Sequence, residues 1–200
     1  MGRMSPSTYL SQRDKKLGAV IRKIKLKRFA PERNYFYSLA ESIISQQLSV
    51  KAADTITKRL IALFPRKRFP TPQDILKLPS PKLRATGVSG AKVSFLKDLA
   101  RHVHDRRLNF HKFPKWTDEE IIQHLTAVHG IGRWTAEMFL MFSLGRPDVF
   151  SPGDQGLKNA IRKLYGLKKE PTAQRMLKLA EVWRPHRTVA CRYLWKSLVL

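Results

Sequence analysis

Cysteine is almost missing from this chain: of its 200 residues, only Cys191 carries a thiol. A disulfide within the chain needs two thiols, and a Cys-held zinc or iron–sulfur centre needs more, so no such device is expected. That usage fits a reducing, intracellular compartment. Long apolar runs are missing too. No stretch approaches the roughly 20 residues that cross a bilayer. Met1, Gly2, Arg3 and Met4 open the chain without the apolar block of a secretory leader, and no membrane partner is expected. Acid is scarce, with 15 Asp and Glu against 39 Lys and Arg, a formal charge of +24. Such an excess attracts polyanions, because each phosphate neutralised by Lys or Arg releases condensed counterions. Solubility alone is better served by mixed signs. The basic residues run along the whole chain instead of forming a tail. A folded basic surface for nucleic acid is therefore expected ahead of membrane lipid or passive ribosomal binding.

Alternating β-branched runs between hairpin turns are nearly absent, and helical spacing takes their place. After a loose start, Leu17, Val20, Ile21, Ile24 and Leu26 space a short basic amphipathic helix. Tyr35, Phe36, Leu39, Ile43 and Ile44 recur on one helical face, and Val50 to Phe64 repeats the pattern until Pro65. Pro70 and Pro72 mark a turn, after which Thr71 or Thr86 could cap short helices. Val93 to Val103 reads as another helix, and Pro114-Lys115-Trp116 as a turn. Thr117 to Glu120 then has the form of a capping box. Further helices are predicted near 118–128, 133–144, 154–165, 172–182 and 186–198. The expected class is all-α, with 1–34 a basic N-terminal helical segment and 35–200 the core. An apolar content of 42% suffices for one domain or two lobes sharing a cleft. No solenoid repeat or low-complexity tract interrupts it.

The stretch from Leu125 to Ala136 is the most informative. A capped helix runs through Val128 and His129 into Gly130-Ile131-Gly132, and Arg133, Trp134 and Thr135 begin another at once. Two glycines one residue apart allow a tight turn and close approach to something large. Amides around Gly130, Gly132 and Thr135 would make an anion seat at a helix N-terminus, and in so basic a chain the anion is a DNA phosphate. Alone, Gly-Ile-Gly is equally an ordinary helix–helix turn with a glycine C-cap. Downstream, Ser151-Pro152-Gly153-Asp154 places a carboxylate at the start of a predicted helix. An isolated Asp there is first of all an N-cap. Its functional reading is a carboxylate kept ionised by the helix dipole and facing a cleft. His102, His104 and His111 have poor metal spacing, so surface or packing roles are expected of them.

Hairpin, spacer and Pro-Gly-Asp, in this order, resemble the helix-hairpin-helix (HhH-GPD) DNA glycosylase superfamily, in particular its alkylated-base, 3-methyladenine DNA glycosylase II branch. The likeness runs from about Tyr35 to Trp195. Ser42 to Ser49, containing Gln46, Gln47 and Leu48, is similar to the family's wedge loop. Trp183-Arg184-Pro185-His186-Arg187 is similar to its W-x-P-x-R element. Two departures stand out: His129 where proline often precedes the first hairpin glycine, and Met138 where some relatives place a pocket tyrosine. The N-terminal β-domain of some relatives has no counterpart in Met1 to Arg33.

The resemblance implies a two-lobed helical fold whose hairpin flanks a central cleft. It implies Asp154 as the catalytic carboxylate and Trp134, Trp195 and Met138 as base-pocket positions. Gln47 or Leu48 would fill the gap left by the extruded nucleotide, and Gly130, Gly132, Arg133 and Thr135 would hold phosphate. Relatives bind a monovalent cation, Na+ or K+, through hairpin carbonyls, here those of Thr126, Val128 and Ile131. No cofactor is required and no iron–sulfur cluster is expected. The implied partner is double-stranded DNA with damaged bases, bound by a monomer.

Bifunctional relatives carry a lysine two residues after the second hairpin glycine, where this chain has Trp134. Without that amine no Schiff base forms with the sugar, so a monofunctional hydrolase is expected. The target base must leave the stack to be reached. Alkylated purines are cationic, and the aromatic faces of Trp134 and Trp195 suit them. The alternatives are the same fold acting on uracil, hypoxanthine or mismatched bases, or a non-enzymatic DNA-binding module. A pure binder gains nothing from Asp154 beside phosphates.

Overall fold

The computed structural model describes residues 4–28 and 30–199, so the opening Met1-Gly2-Arg3, from which no secretory leader is expected, lies outside the described residues. Among these residues all regular structure is helical: twelve α-helices, α1 to α12, and two 3-10 segments. None of the helices is long and apolar enough to cross a membrane. The chain forms two compact units, one from Glu32–Phe139 and one from the described residues of Met1–Pro31 and Leu140–Leu200.

The Glu32–Phe139 unit is built from α3 (Tyr35–Ser45), α4 (Val50–Ala62), α5 (Pro72–Lys77), α6 (Ser80–Ala85), α7 (Gly90–His104) and α8 (Asp118–Thr126), with most of α9 (Arg133–Phe142). Leu39, Ile43, Leu60, Leu96, Leu99, Phe113, Ile121 and Leu125 are buried in its core. Burying each such side chain contributes on the order of 1.5–3 kcal/mol. Tyr35 meets Phe110 and Phe139 edge-on at 5.7 and 5.5 Å, seating the start of α3. The Thr117 capping box is present: its hydroxyl accepts from the Glu120 amide at 3.3 Å, and the Glu120 carboxylate accepts from the Thr117 amide at 2.6 Å. Thr71 makes a second box with Asp74. Hydrogen bonds from Lys67 and Thr71 hold the Asp74 carboxyl down at about 2.

Thr86, by contrast, ends α6 and starts nothing. Its backbone is helical and its hydroxyl donates to the Leu83 carbonyl at 2.7 Å, as suits an orphan acceptor at a helix C-terminus. The Pro114 turn closes a six-residue 3-10 segment, Phe110–Lys115, capped by Asn109.

The second unit contains α1 (Pro6–Arg13), α2 (Lys15–Lys23), α10 (Gln155–Tyr165), α11 (Ala173–Ala180) and α12 (Arg187–Ser197). Residues 6–23 form two helices, where composition suggests a loose start and one short helix. Ser5 accepts from the Thr8 amide at 3.1 Å and Pro6 sits in the first turn of α1. Proline is at home there, because that N–H would lack an acceptor anyway. The predicted helix near 172–182 is α11 followed by a 3-10 turn, Glu181–Trp183. Asp14 is the tie within this unit. It caps α2 through the Leu17 amide at 3.0 Å and accepts from Trp183 Nε1 at 2.8 Å and from the Tyr165 hydroxyl. Burial and the Asp14 carboxylate push the Tyr165 phenol up. Cys191 is buried, which pushes its thiol up as well.

Candidate functional site

The hairpin belongs to the Glu32–Phe139 unit. The C-terminus of α8 closes with the Val128 amide donating to Leu125 O and the Ile131 amide to Val128 O, both at 3.1 Å. Gly130 has φ +84°, where L side chains are strained, and a Cβ there would lie 2.3 Å from Phe95 Cδ2. Glycine is therefore required twice over, by conformation and by the Phe95 ring. Gly132 is different, since a Cβ there would meet nothing within 4 Å. It caps α9, its carbonyl accepting from the Ala136 amide at 3.1 Å. The amides of Arg133, Trp134 and Thr135 lie in the first turn of α9, where the helix itself supplies no carbonyl acceptor. The Arg133 guanidinium is engaged elsewhere: it grips Glu119 bidentately at 2.8 and 3.0 Å and reaches Glu137 at 3.1 Å.

The turn at the end of α3 stands beside the hairpin. Gln47 adopts φ 56°, rare for a residue with a side chain, and Gln47 and Leu48 are both exposed. Gln46 Nε2 donates to the Gly130 carbonyl at 2.7 Å, joining this turn to the hairpin. Gln47, Trp134, Thr135 and Met138 line a single cavity of about 560 Å³ together with Gln46, Lys92 and Phe95. Trp134 is 51% exposed, a large area for an indole, and Thr135 is buried.

Asp154 belongs to the other unit. It caps α10, and it is only 8% exposed. Its Oδ1 accepts from the Leu157 amide and from Trp195 Nε1, each at 2.7 Å. Trp195 in turn packs against Phe142, with ring centroids 5.8 Å apart. A Cβ at Gly156 would lie 3.0 Å from Trp195 Cδ1 and 3.1 Å from Asp154 Oδ1, so glycine there keeps the indole against the carboxylate. The positive end of the α10 dipole also lies at Asp154.

The loop leading to Asp154 is clamped by residues that sequence reading assigned no part. Arg187 donates to Asp148 Oδ1 at 2.8 Å and to the Asp148 carbonyl at 2.6 Å, and Arg184 reaches Asp148 Oδ2 at 2.8 Å. Next to it, Thr188 donates to Arg146 O at 2.7 Å and accepts from the Val149 amide at 3.0 Å. The Trp183–Arg187 element thus holds the chain that delivers the carboxylate. Its Trp-Arg-Pro-His-Arg pattern was visible in the sequence, but no local signal pairs it with Asp148.

These features define a helical protein with a glycine hairpin and a buried, helix-capping carboxylate, and comparison places it: residues 40–185 match the HhH-GPD superfamily of base excision DNA repair proteins, and the chain belongs to that superfamily. Among its relatives is DNA-3-methyladenine glycosylase 1 of Schizosaccharomyces pombe, 35% identical over 94% of this chain and 83% of that protein. The solved structure of a 3-methyladenine DNA glycosylase of the same yeast with abasic DNA shares 33% identity and a TM-score of 0.85, covering 98% of both chains. A DNA-3-methyladenine glycosidase from Bacillus halodurans gives 37% identity and a TM-score of 0.86, over 96% of this chain and 89% of that one.

Proposed function

We propose that this protein is a monofunctional alkylpurine DNA glycosylase, which turns a damaged base out of duplex DNA and hydrolyses its N-glycosidic bond within the cell. The observation that carries the reading is the buried Asp154 carboxylate, held at the head of α10 by Leu157 and Trp195, in a chain related along most of its length to 3-methyladenine glycosylases. As the base departs, positive charge grows on the sugar. A carboxylate already fixed in place stabilises that charge without reorganising, which is commonly the largest catalytic contribution. Asp154 does this and orients the attacking water. The electron pair of the glycosidic bond leaves with the base, an oxygen lone pair of water forms the new bond to the sugar carbon, and the proton that water sheds passes by way of the Asp154 carboxylate to solvent.

The hairpin amides at Gly132, Arg133 and Thr135 take a backbone phosphate, with Gly130 making the turn. Because Arg133 is paired with Glu119 and Glu137, the seat works through backbone N–H groups, and Arg133 contributes its amide. Gln47 or Leu48 fills the vacated stack. Trp134 and Met138, which line the cavity beside the hairpin, receive the flat, cationic base, with the Trp134 face stacking on it, while Trp195 holds the carboxylate. Trp134 stands where a lyase would need an amine, so the reaction ends at the abasic site and needs no cofactor. The carbonyls of Thr126, in the last turn of α8, of Val128 and of Ile131 are neutral oxygen donors, a set that suits a hard Na+ or K+ ion steadying the turn. The enzyme acts as a monomer.

The test is base release from methylated duplex DNA with borohydride trapping in parallel. Release of 3-methyladenine or 7-methylguanine without a trapped adduct is the expected result. Release only from uracil, hypoxanthine or mismatch substrates would move the substrate class. No release from any of them would leave a DNA-binding module.

A further inference from the structure

One face of α7 carries Lys92, Phe95 and Asp98 at i, i+3 and i+6, spacing that stacks side chains along a single helical stripe. Each grips a different part of the DNA-facing surface assigned above. Lys92 Nζ donates to the carbonyls of Ile44 and Gln46 at 2.8 and 2.6 Å, which caps the C-terminus of α3 from outside. Burial pushes its ammonium down from the ordinary lysine value. That cap fixes the turn in which Gln47 holds its left-handed conformation. Phe95 fills the space under Gly130 that any Cβ would need. Asp98 Oδ2 accepts from the His129 amide at 3.0 Å, at the entry to the hairpin. The Gln46–Gly130 bond closes the circuit.

We infer that α7 is a positioning element that locks the wedge turn and the phosphate-binding hairpin into one body, with Lys92 and Asp98 as its positioning residues. The inference rests on the glycosylase reading. Its consequence is that grip on the phosphate and insertion of the wedge are energetically coupled. A hairpin seated on phosphate delivers the Gln47–Leu48 turn at a set depth, and loosening either anchor weakens both events. Neither residue need touch the reacting atoms.

The test uses the full chain and a duplex containing an abasic-site analogue with 2-aminopurine beside it, whose fluorescence rises when the stack is opened. Lys92→Met, Asp98→Asn and the double variant are compared with wild type for affinity and for the flipped signal at saturating protein. Losing a charge-assisted bond at either anchor lowers the flipped fraction about tenfold. The double variant falls well short of the product of the two single losses. Lys92→Arg restores the signal, which a general loss of packing would not permit. Should Lys92→Met fail to fold, Lys92→Gln takes its place in the cycle. Unchanged signals in folded variants, or losses that multiply independently, overturn the inference and leave the glycosylase reading standing. A wild type that gives no signal, and releases no base from methylated DNA, removes both.

Discussion

The hairpin and the Asp154 loop are held in opposite ways. The hairpin is a backbone device: its glycine geometry and first-turn amides are what the proposed function uses to bind phosphate, and its neighbours Gln47, Leu48 and Trp134 are exposed. The Asp154 loop is a side-chain device. Its carboxylate is buried and gripped from α12 by Trp195, while Arg187 and Thr188 pin the approach. The difference follows from what each meets in the proposed reaction. Phosphate is the same at every nucleotide, so a seat of amides is sufficient and indifferent to sequence. A developing cation on one sugar needs a single charge at a single position, and an unfixed carboxylate would lose much of its effect to reorganisation.

Substitutions can break each half separately. Gly130→Ala has the largest effect on the hairpin half. A positive φ and a Cβ 2.3 Å from Phe95 should weaken DNA binding about thirtyfold or more and lower Tm by about 5–10 °C. Gly132→Ala, where the space is open, should fold and bind nearly as wild type, whereas Gly132→Pro removes an amide and should weaken binding to all sequences alike. Titration of each variant against two unrelated duplexes checks this; equal behaviour of the two alanine variants would contradict it.

Trp195→Phe tests the other half. It keeps a ring against Phe142 but removes the donor to Asp154 Oδ1. Single-turnover base release should slow about tenfold, with DNA affinity unchanged. An affinity loss of the same size would make Trp195 chiefly a base contact.

The smallest effect lies outside both regions. The Asp74 carboxyl, held at about 2 against an ordinary value of 3.8, contributes stability above its unfolded value, and the contribution is lost as pH falls towards 2. Asp74→Asn should therefore lower Tm by about 1–3 °C at pH 7. That difference should vanish near pH 2. A gap that persists in acid would assign the effect to the cap geometry and not to the charge.

How much of this could be read in advance divides along the same line. The capping box at Thr117, the glycine hairpin and the N-cap position of Asp154 are local patterns, and each is found where its residues indicated. What escaped is long-range or depends on a helix end. Trp195 lies 41 residues from Asp154, and Arg187 lies 39 from Asp148. Periodicity carries no record of such pairs. The anchors Lys92 and Asp98 look like ordinary polar positions of an amphipathic helix, because their acceptor and donor are backbone groups without a side-chain signature. Ser5-Pro6 was a legible helix start, obscured by the basic run after it. Thr86 is ambiguous by nature, since a threonine hydroxyl can bond forward at an N-cap or back to a carbonyl, and here it does the latter.

The most direct measurement compares wild type and Asp154→Asn on methylated duplex DNA, following 3-methyladenine release in a single turnover and affinity for an abasic-analogue duplex in the same preparations. Separate holding of phosphate and carboxylate predicts that release falls by about 10³ or more while affinity stays within about threefold. Persistent release would place the catalytic charge elsewhere, and a parallel collapse of affinity would show that Asp154 serves the binding surface and not the chemistry.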